Sequence, residues 1–367
     1  MSPAFPLSIL TSGAASLWTA GSWMRAWLYR SGLFRQRSLQ ASVLSIGNIS
    51  WGGTGKTPFT IWLAGRLQTA GLRVSILTRG YRRASTQPLQ ILPPGASPQD
   101  AVDSGDEVQL YLRHLNLPVG VSASRYEAGR LVEEEFSVDL HLLDDGFQHL
   151  ALKRTLDLVL VDAENPWGAR PGFSRLLREG ASALGRADGI LLTRCELAAS
   201  GADNSADLEN LKATVRRLNP RAQCFTLRTK LLHFTDARNA DRVPLADFFP
   251  RRPMAFCGIG NPRSFFLMLE MAGIETVGSK TFPDHHRYND ADLELLRKLL
   301  EANRADCLLT TEKDIVNLPE MVSRIPLYWA AIEPVVDEEA RLVNWIWEEL
   351  GLPRKRSPLP ASISERS

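Results

Sequence analysis

A short glycine-rich segment carries the residues with the clearest potential for chemistry. Residues 45–59 read SIGNISWGGTGKTPF, an apolar run followed by a loop and then by Lys56 and Thr57. Backbone N–H groups of such a loop can surround a phosphate, and the N-terminus of the following helix adds its dipole. Lys56 would neutralise β- and γ-phosphate oxygens, and the Thr57 hydroxyl would bind Mg²⁺. The segment therefore predicts a nucleoside triphosphate site lined by Ser50, Trp51, Gly52, Gly53, Thr54, Gly55, Lys56 and Thr57.

The segment departs from the full GxxxxGK[ST] pattern at one position. Ser50 stands where the pattern has its first glycine. The alternative interpretation is a glycine turn that happens to precede a Lys-Thr pair. Strand, loop and amphipathic helix nevertheless follow in the order that phosphate binding needs, so we favour the nucleotide site.

Two consecutive carboxylates end a later apolar run. LHLLDDGFQH covers residues 140–149, with Asp144 and Asp145 at the end of the expected strand. In a nucleotide-binding sheet, an aspartate at the carboxyl end of a neighbouring strand is where a metal-holding acid belongs. Side chains alternate along a strand, so one carboxylate can face the metal while the other orients water or a neighbouring group. A plain Asp-Asp-Gly turn is the alternative.

A proton acceptor for an alcohol substrate is the next requirement, and histidine is the usual choice. FPDHHRY, residues 282–288, offers two histidines, and no other His or Cys stands at a metal-ligand spacing from them, which argues against zinc. Asp106, in VDSGDEVQL, is a candidate carboxylate partner for such a base. From spacing alone, the stronger interpretation is that Ser104 or Asp106 only caps the following helix.

Three further motifs follow predicted strands. TRGYR, residues 78–82, would bring Arg79 and Tyr81 to the carboxyl edge of the sheet, where substrates tend to bind, although a solvated turn is the alternative. CGIGNP, residues 257–262, is weak evidence for a second nucleotide site. TRCE and TTEKD lack the asparagine of the guanine-reading Asn-Lys-x-Asp motif, so adenine is favoured over guanine.

The pattern of apolar runs predicts the fold that positions these residues. SVLSIG, RVSILT, PVGVS, VDLHLL, DLVLVD and DGILLT alternate with stretches of helical spacing between residues 42 and 193. Such alternation predicts an α/β fold of the P-loop type, a mostly parallel sheet flanked by helices. The pattern restarts after residue 235 with PMAFCGIG, DCLLTT and PLYWAA, which indicates a second, smaller α/β domain.

The chain of 367 residues exceeds the usual size of one hydrophobic core, so several regions are expected. We predict an N-terminal apolar membrane-interface region (1–38), a P-loop nucleotide-binding domain (39–235), a smaller α/β domain (236–352) and a disordered tail rich in Pro, Ser and Arg (353–367). The net charge of +2 is too small to suggest a nucleic-acid partner. The four cysteines are far apart and form no disulfide-like framework, as in a reducing cytosol.

The N-terminus has an unusual charge distribution. Residues 1–24 contain no charged side chain, and arginines follow at 25, 30, 35 and 37. A signal peptide would carry its positive charge before the apolar run, and Ser, Thr, Gly and Pro dilute the segment too much for a spanning helix. We favour a helix in the membrane interface, with Trp and Leu inserted and arginines at anionic head groups. A helix packed on the protein's own core is the alternative.

The motifs together carry a family resemblance. GNISWGGTGKTP, TRGYRR, SGDE, LDDGFQH, GIGNP, FPDHHRY and TTEKD occur in this order. In this combination the chain closely resembles the tetraacyldisaccharide 4'-kinase family of Gram-negative lipid A biosynthesis. The resemblance extends from the apolar N-terminus to about residue 350. LDDGFQH and FPDHH are far more specific than the P-loop alone.

The resemblance implies an activity and a location. The family transfers the γ-phosphate of ATP to the 4'-hydroxyl of a tetraacylated glucosamine disaccharide 1-phosphate, at the cytoplasmic face of the inner membrane. ATP and Mg²⁺ are the implied cofactors, and the membrane lipid is the implied partner. A substrate with four acyl chains leaves a bilayer only at high cost, which agrees with an interfacial helix. No motif indicates an obligate protein partner.

The resemblance also implies roles for individual residues. The family's Asp-His dyad falls on Asp106 and one histidine of the pair at 285 and 286, of which we choose His285. Two domains would close on the nucleotide and bring His285 to it, which would exclude water. The other assignments are Thr57 and Asp144 to the metal, Asp145 and His149 to catalysis, and Asn48, Arg79, Tyr81 and Gln148 to the substrate.

Two other functions compete with the lipid kinase. One is a membrane-associated P-loop ATPase that uses its nucleotide as a conformational switch, which would not need an Asp-His base. The other is a soluble kinase for a small metabolite, in which the N-terminal helix is merely structural.

Overall fold

The computed structural model describes residues 21–81, 83, 85, 87–168, 177–198, 204–319 and 326–352. Most of the predicted membrane-interface segment and the whole predicted disordered tail lie outside the described residues. Within the described part, thirteen strands form a single sheet, in the order β11-β10-β12-β13-β8-β7-β6-β1-β5-β2-β4-β3, with β9 paired to β8.

The first half of the sheet confirms the six predicted strands. They are β1 (Ser42–Asn48), β2 (Val74–Thr78), β4 (Val119–Ser122), β5 (Leu140–Asp144), β6 (Leu156–Asp162) and β7 (Gly189–Thr193). All pair in parallel, and the antiparallel edge strand β3 (Leu89–Leu92) was not predicted. The predicted mostly parallel α/β sheet is therefore confirmed.

The second half contains β8 (Gln223–Asp236), β9 (Arg242–Val243), β10 (Pro253–Cys257), β11 (Gly278–Thr281), β12 (Cys307–Thr311) and β13 (Leu327–Val336). The long strand β8 pairs in parallel with β7 and then, further along, antiparallel with β13. Because β13, β12 and β10 are parallel to one another, they run opposite to the strands of the first half. The carboxyl ends of the two sets of strands therefore face each other.

The α-helices of the described residues are α1 (21–30), α2 (Lys56–Thr69), α3 (Asp106–His114), α4 (Arg125–Glu135), α5 (Cys195–Ala198), α6 (Asn204–Leu218), α7 (Pro262–Met271), α8 (Asp290–Ala302), α9 (Glu312–Ile315) and α10 (Glu339–Leu350). Helix α2 buries Phe59, Leu63 and Leu67 at the i, i+4, i+8 spacing of one helical face, and α10 packs into the same core. Gly71, predicted to stop α2, follows it with φ +96°. No helix in the described ranges is long and apolar enough to cross a membrane.

Candidate active site

The loop between β1 and α2 has the shape of a phosphate-binding loop. Gly55, directly before α2, has φ 82°, a left-handed conformation that favours glycine. Asn48 is fully buried, and its amide donates to the Ser50 carbonyl at 2.9 Å and to Thr54 Oγ1 at 3.2 Å. Gln148 Nε2 in turn donates to the Asn48 carbonyl at 2.9 Å. These contacts fix the loop from within.

Lys56, the first residue of α2, shares a carboxylate with an arginine. Its Nζ lies 3.3 Å from Asp145 Oδ1, and Arg178 Nη1 donates to Asp145 Oδ2 at 2.5 Å. Burial alone would raise the pKa of Asp145, but the two cations outweigh it and hold that pKa well below its usual range. Asp145 has a left-handed backbone (φ 50°) directly after the end of β5. Lys56, the predicted phosphate-binding cation, is therefore already paired with the carboxylate of Asp145.

Asp144 has a different environment. It is buried at the end of β5 and accepts a hydrogen bond from Thr78 Oγ1 at 3.1 Å, whereas no well-formed hydrogen bond from the described residues reaches its Oδ1 atom. Burial and the neighbouring Asp145 raise the pKa of Asp144. Burial and Asp144 also raise the pKa of Glu107 to about 8. Asp144 and Glu107 line the cavity together with Thr57, and carboxylate and hydroxyl oxygens are the kind of donor that fits Mg²⁺.

His285 and Asp106 form the second polar group of the site. His285 Nδ1 lies 2.7 Å from Asp106 Oδ2, and the Tyr81 ring lies 5.2 Å from the imidazole. Burial alone would raise the pKa of Asp106, but His285 and the cation of Lys313 lower it below its usual value. His285 has φ 57°, so its backbone is in the left-handed region. The structure thus joins the two residues that were predicted as a dyad.

His286 has other contacts. Its Nε2 lies 2.9 Å from Asp292 Oδ2 in the first turn of α8, and its ring stacks on Phe282 at 4.8 Å. Both contacts are internal to the second half of the chain. The geometry therefore favours His285 over His286 as the partner of Asp106, while the catalytic role itself stays a prediction.

His149 lies within a group of arginines. The pKa of His149 is lowered to about 4, first by burial and then by the positive charges of Arg125, Arg154, Arg25 and Arg79. Arg125 is itself buried, and burial lowers its pKa. A neutral imidazole beside several guanidinium groups suits the binding of an anion more than the uptake of a proton.

These groups surround one cavity of about 840 Å³. Of the predicted site residues, those that line it are Trp51, Gly52, Gly53, Thr54, Gly55, Lys56, Thr57, Arg79, Tyr81, Asp144, Asp145, Gln148, His149 and His285. The remaining predicted site residues are buried behind the cavity wall: Asn48, Ser50 and Asp106. Asn48 braces the loop, so its predicted contact with substrate stays a prediction.

The two halves of the chain meet directly at the phosphate loop. A Cβ atom added to Gly260, in the GIGNP motif, would lie 2.5 Å from the Gly53 backbone nitrogen. Only a glycine permits this approach between two backbones. Asn261 Nδ2 also donates to Glu164 Oε2 at 3.2 Å, and Arg263 pairs with the same carboxylate. The GIGNP motif, which alone was weak evidence for a second nucleotide site, therefore packs on the predicted phosphate-binding loop.

Three cavity residues were missed from the sequence. Glu107 directly follows Asp106, and Lys313 lies in TTEKD, so both were inside motifs that had been singled out for other reasons. Arg178 follows no strand and carries no motif of its own. Its place in the site is shown by its contact with Asp145.

Comparison with known proteins identifies the family. A family model described as Tetraacyldisaccharide-1-P 4'-kinase matches residues 7–351. The chain belongs to this family. A tetraacyldisaccharide 4'-kinase from Syntrophobacter fumaroxidans is 40% identical over 300 residues, which cover 81% of this chain and 76% of that protein. The corresponding kinase from Koribacter versatilis is 36% identical over 322 residues, covering 86% and 90%.

A solved structure supports the same assignment. The crystal structure of the "apo" form of LpxK from Aquifex aeolicus in complex with ATP matches with a TM-score of 0.70 and 27% identity. The match covers 93% of this chain and 99% of that chain. The family resemblance and the α/β fold predicted from the sequence are therefore confirmed.

Proposed function

We propose that the protein transfers the γ-phosphate of ATP to the 4'-hydroxyl of a tetraacylated glucosamine disaccharide 1-phosphate. The observation that carries this proposal is the pairing of Asp106 with His285, which lines the same cavity as Lys56. A nucleotide switch needs the phosphate loop alone, whereas transfer to an alcohol also benefits from a base. Membership of the kinase family supplies the substrate class.

The residues divide the chemistry between them. Lys56 neutralises the phosphates, and His285 Nε2 takes the proton of the acceptor hydroxyl while Asp106 holds Nδ1–H. The acceptor oxygen forms the new bond to the γ-phosphorus, the bond to the bridging oxygen breaks, and ADP leaves with that electron pair. Thr57, Asp144 and Glu107 would hold Mg²⁺, which when bound neutralises charge on the phosphate oxygens.

The arginines near His149 suit the anionic end of the acceptor. Arg25, Arg79 and Arg125 line the cavity together with His149 and Gln148. A phosphate monoester carries up to two negative charges, and guanidinium groups recognise it with paired hydrogen bonds. We infer that this cluster binds the 1-phosphate of the disaccharide.

Helix α1 supports access from a membrane surface. Trp23 and Trp27, spaced i and i+4 on α1, share one face and are exposed, as is Met24, while Ala26 is buried. Exposed tryptophans beside arginines suit the head-group region of a bilayer. We infer that α1 places the cavity at the cytoplasmic face of the inner membrane, where the acceptor's acyl chains can stay in the lipid.

Membrane contact is testable by vesicle flotation. Replacing Trp23 and Trp27 by serine should reduce binding to vesicles with anionic lipid, because the exposed apolar area on α1 is lost. Phe249→Ser is the matched control, since Phe249 is 60% exposed but lies in the second half of the chain. Equal flotation of the double variant, the control and the wild type would exclude α1 as the membrane contact.

The activity itself is tested with radiolabelled γ-phosphate of ATP, Mg²⁺ and a detergent-dispersed tetraacyl disaccharide 1-phosphate. The proposal expects labelled lipid, and no label in a 4'-deoxy acceptor that lacks the receiving hydroxyl. Release of free phosphate at a rate that the acceptor does not change would instead indicate a nucleotide switch. Label in the 4'-deoxy acceptor would show that another position receives the phosphate.

A further inference from the structure

Lys313, at the start of α9, is a cation that the chemistry above does not use. Its Nζ lies 3.2 Å from Asp284 Oδ1, 3.2 Å from His285 Nε2 and 3.8 Å from Asp106 Oδ2. Its side chain is 23% exposed and lines the cavity. Burial alone would lower the pKa of Lys313, but Asp106, Asp284 and Glu107 raise it above its usual value. The group is therefore an ammonium at neutral pH.

The contact with His285 fixes the imidazole tautomer. An ammonium has hydrogen-bond donors and no acceptor, so His285 Nε2 must be the accepting nitrogen. Nδ1 then carries the hydrogen that Asp106 accepts. This is the tautomer that a base needs, because its lone pair is on the nitrogen at the cavity.

The same contact also covers that lone pair. An imidazole nitrogen has one lone pair, and in this structure the Lys313 ammonium is hydrogen-bonded to it. A substrate hydroxyl must donate to the same atom at about 2.6–3.2 Å before its proton can be transferred. Lys313 must therefore move away from His285 before the base can act.

Electrostatics indicate where the ammonium can go. Lys56 belongs to the phosphate loop, and Lys313 lines the same cavity. A γ-phosphate held by the loop would add a strong anion within the reach of a flexible four-carbon side chain.

We propose that Lys313 is a mobile catalytic cation whose contact with His285 Nε2 is exchanged for contact with the γ-phosphate when nucleotide binds. The base is then uncovered only when there is a phosphoryl group to transfer. The atoms balance as in the transfer above: the hydroxyl proton goes to His285 Nε2, and Lys313 stays protonated and stabilises charge on the transferred group. This inference rests on the proposed phosphoryl transfer from ATP, but not on the identity of the acceptor.

Nitrogen NMR of the ¹⁵N-histidine-labelled protein tests the movement without acceptor. The wild-type Nε2 resonance, assigned by its loss in His285→Ala, should shift toward that of a nitrogen without a hydrogen bond when the β,γ-methylene analogue of ATP binds with Mg²⁺. ADP with Mg²⁺ should leave it in place, because ADP has no γ-phosphate. An unmoved resonance with the analogue, or an equal shift with ADP, would overturn the proposal.

Substitution of Lys313 gives a second, kinetic readout. Lys313→Met should lower kcat by about 100-fold or more at an ATP KM within about threefold of wild type, because the cation acts mainly in the transition state. Lys313→Arg keeps the charge and should restore activity to within about tenfold of wild type. Lys298→Met is the matched control, since Lys298 is 67% exposed and pairs only with Glu294 on α8 among the contacts of the described residues.

Folding and function are separated in the same experiment. Thermal unfolding of each variant identifies a misfolded protein, and Lys313→Gln replaces the Met variant if needed. A kcat for folded Lys313→Met or Lys313→Gln equal to that of Lys298→Met would contradict a catalytic role. If the NMR shift occurs but the lipid receives no phosphate, the acceptor assignment fails and the inference about Lys313 stands.

Discussion

The two sides of the cavity are assembled in different ways. The phosphate side, defined as the loop 49–57 with Asp144 and Asp145, follows two adjacent parallel strands and is braced from within by Asn48. The base side is defined as Asp106, His285 and Lys313. His285 lies 179 positions after Asp106 in the chain, and Lys313 lies later still. The phosphate side is thus built within the first half of the sheet, and the base side exists only when the two halves meet.

The charges on the two sides differ as well. On the phosphate side, burial raises the pKa of Asp144, while Lys56 and Arg178 hold that of Asp145 low. On the base side, Asp106 and Asp284 surround one lysine and one imidazole. The phosphate side is prepared for an anionic ligand with a metal, and the base side for the movement of one proton.

The phosphate side should be the more sensitive to loss of a charge. We expect Lys56→Met to lower kcat/KM for ATP by roughly 10³-fold, because Asp145 and the phosphates lose their shared cation. Steady-state transfer assays over a range of ATP concentrations measure this effect. A loss below about tenfold would mean that Lys56 does not contact the phosphates.

The base side can be examined with a matched histidine pair. His285→Ala should lower kcat by about 10²–10⁴-fold with ATP binding intact, because the proton acceptor is lost. His286→Ala should change kcat by less than about tenfold but lower the Tm, since its contacts with Phe282 and Asp292 support the second half. Equal losses in kcat for the two variants would contradict the choice of His285 over His286 as the base.

The contact between the halves is testable with two glycines. Gly260→Ala should lower kcat/KM for ATP by about 10-fold or more, because a Cβ 2.5 Å from the Gly53 nitrogen forces the two backbones apart. Gly65→Ala is the control: Gly65 is inside α2 with nothing within 4 Å of its added Cβ. It should keep full activity and gain up to about 1 kcal/mol of helix stability. Full activity of Gly260→Ala would show that the contact is irrelevant to the nucleotide.

The smallest expected effect is the pH dependence of stability. The pKa of Asp106 in the folded protein is below its ordinary value of 3.8, so its ionised form stabilises the fold above that pH. The stabilisation is lost as the pH falls through the lowered folded pKa. The Tm of Asp106→Asn should therefore be below that of wild type at neutral pH, and the difference should shrink below about pH 3.8. A difference that grows on acidification would contradict this sign.

The difference between the two sides also explains what the sequence could predict. The six strands of the first half and the phosphate loop follow from local patterns of apolar residues and glycine. β11 has the sequence GSKT, which contains no apolar run, so periodicity could not reveal it. The strand direction reverses after β8 because β8 pairs antiparallel with β13, which lies almost a hundred residues later in the chain. Local sequence patterns could not predict this pairing. Spacing alone favoured a helix cap for Asp106, and only the family resemblance paired it with His285.

The most direct test of the account is a double-mutant cycle across the two halves. Transfer to the lipid acceptor would be measured for wild type, Asp106→Asn, His285→Ala and the double variant, with ATP binding checked in each. If Asp106 and His285 act as one unit, the double variant should be no slower than the slower single variant. Losses in kcat that multiply in the double variant would show that the two residues act independently and that the base side is not a dyad.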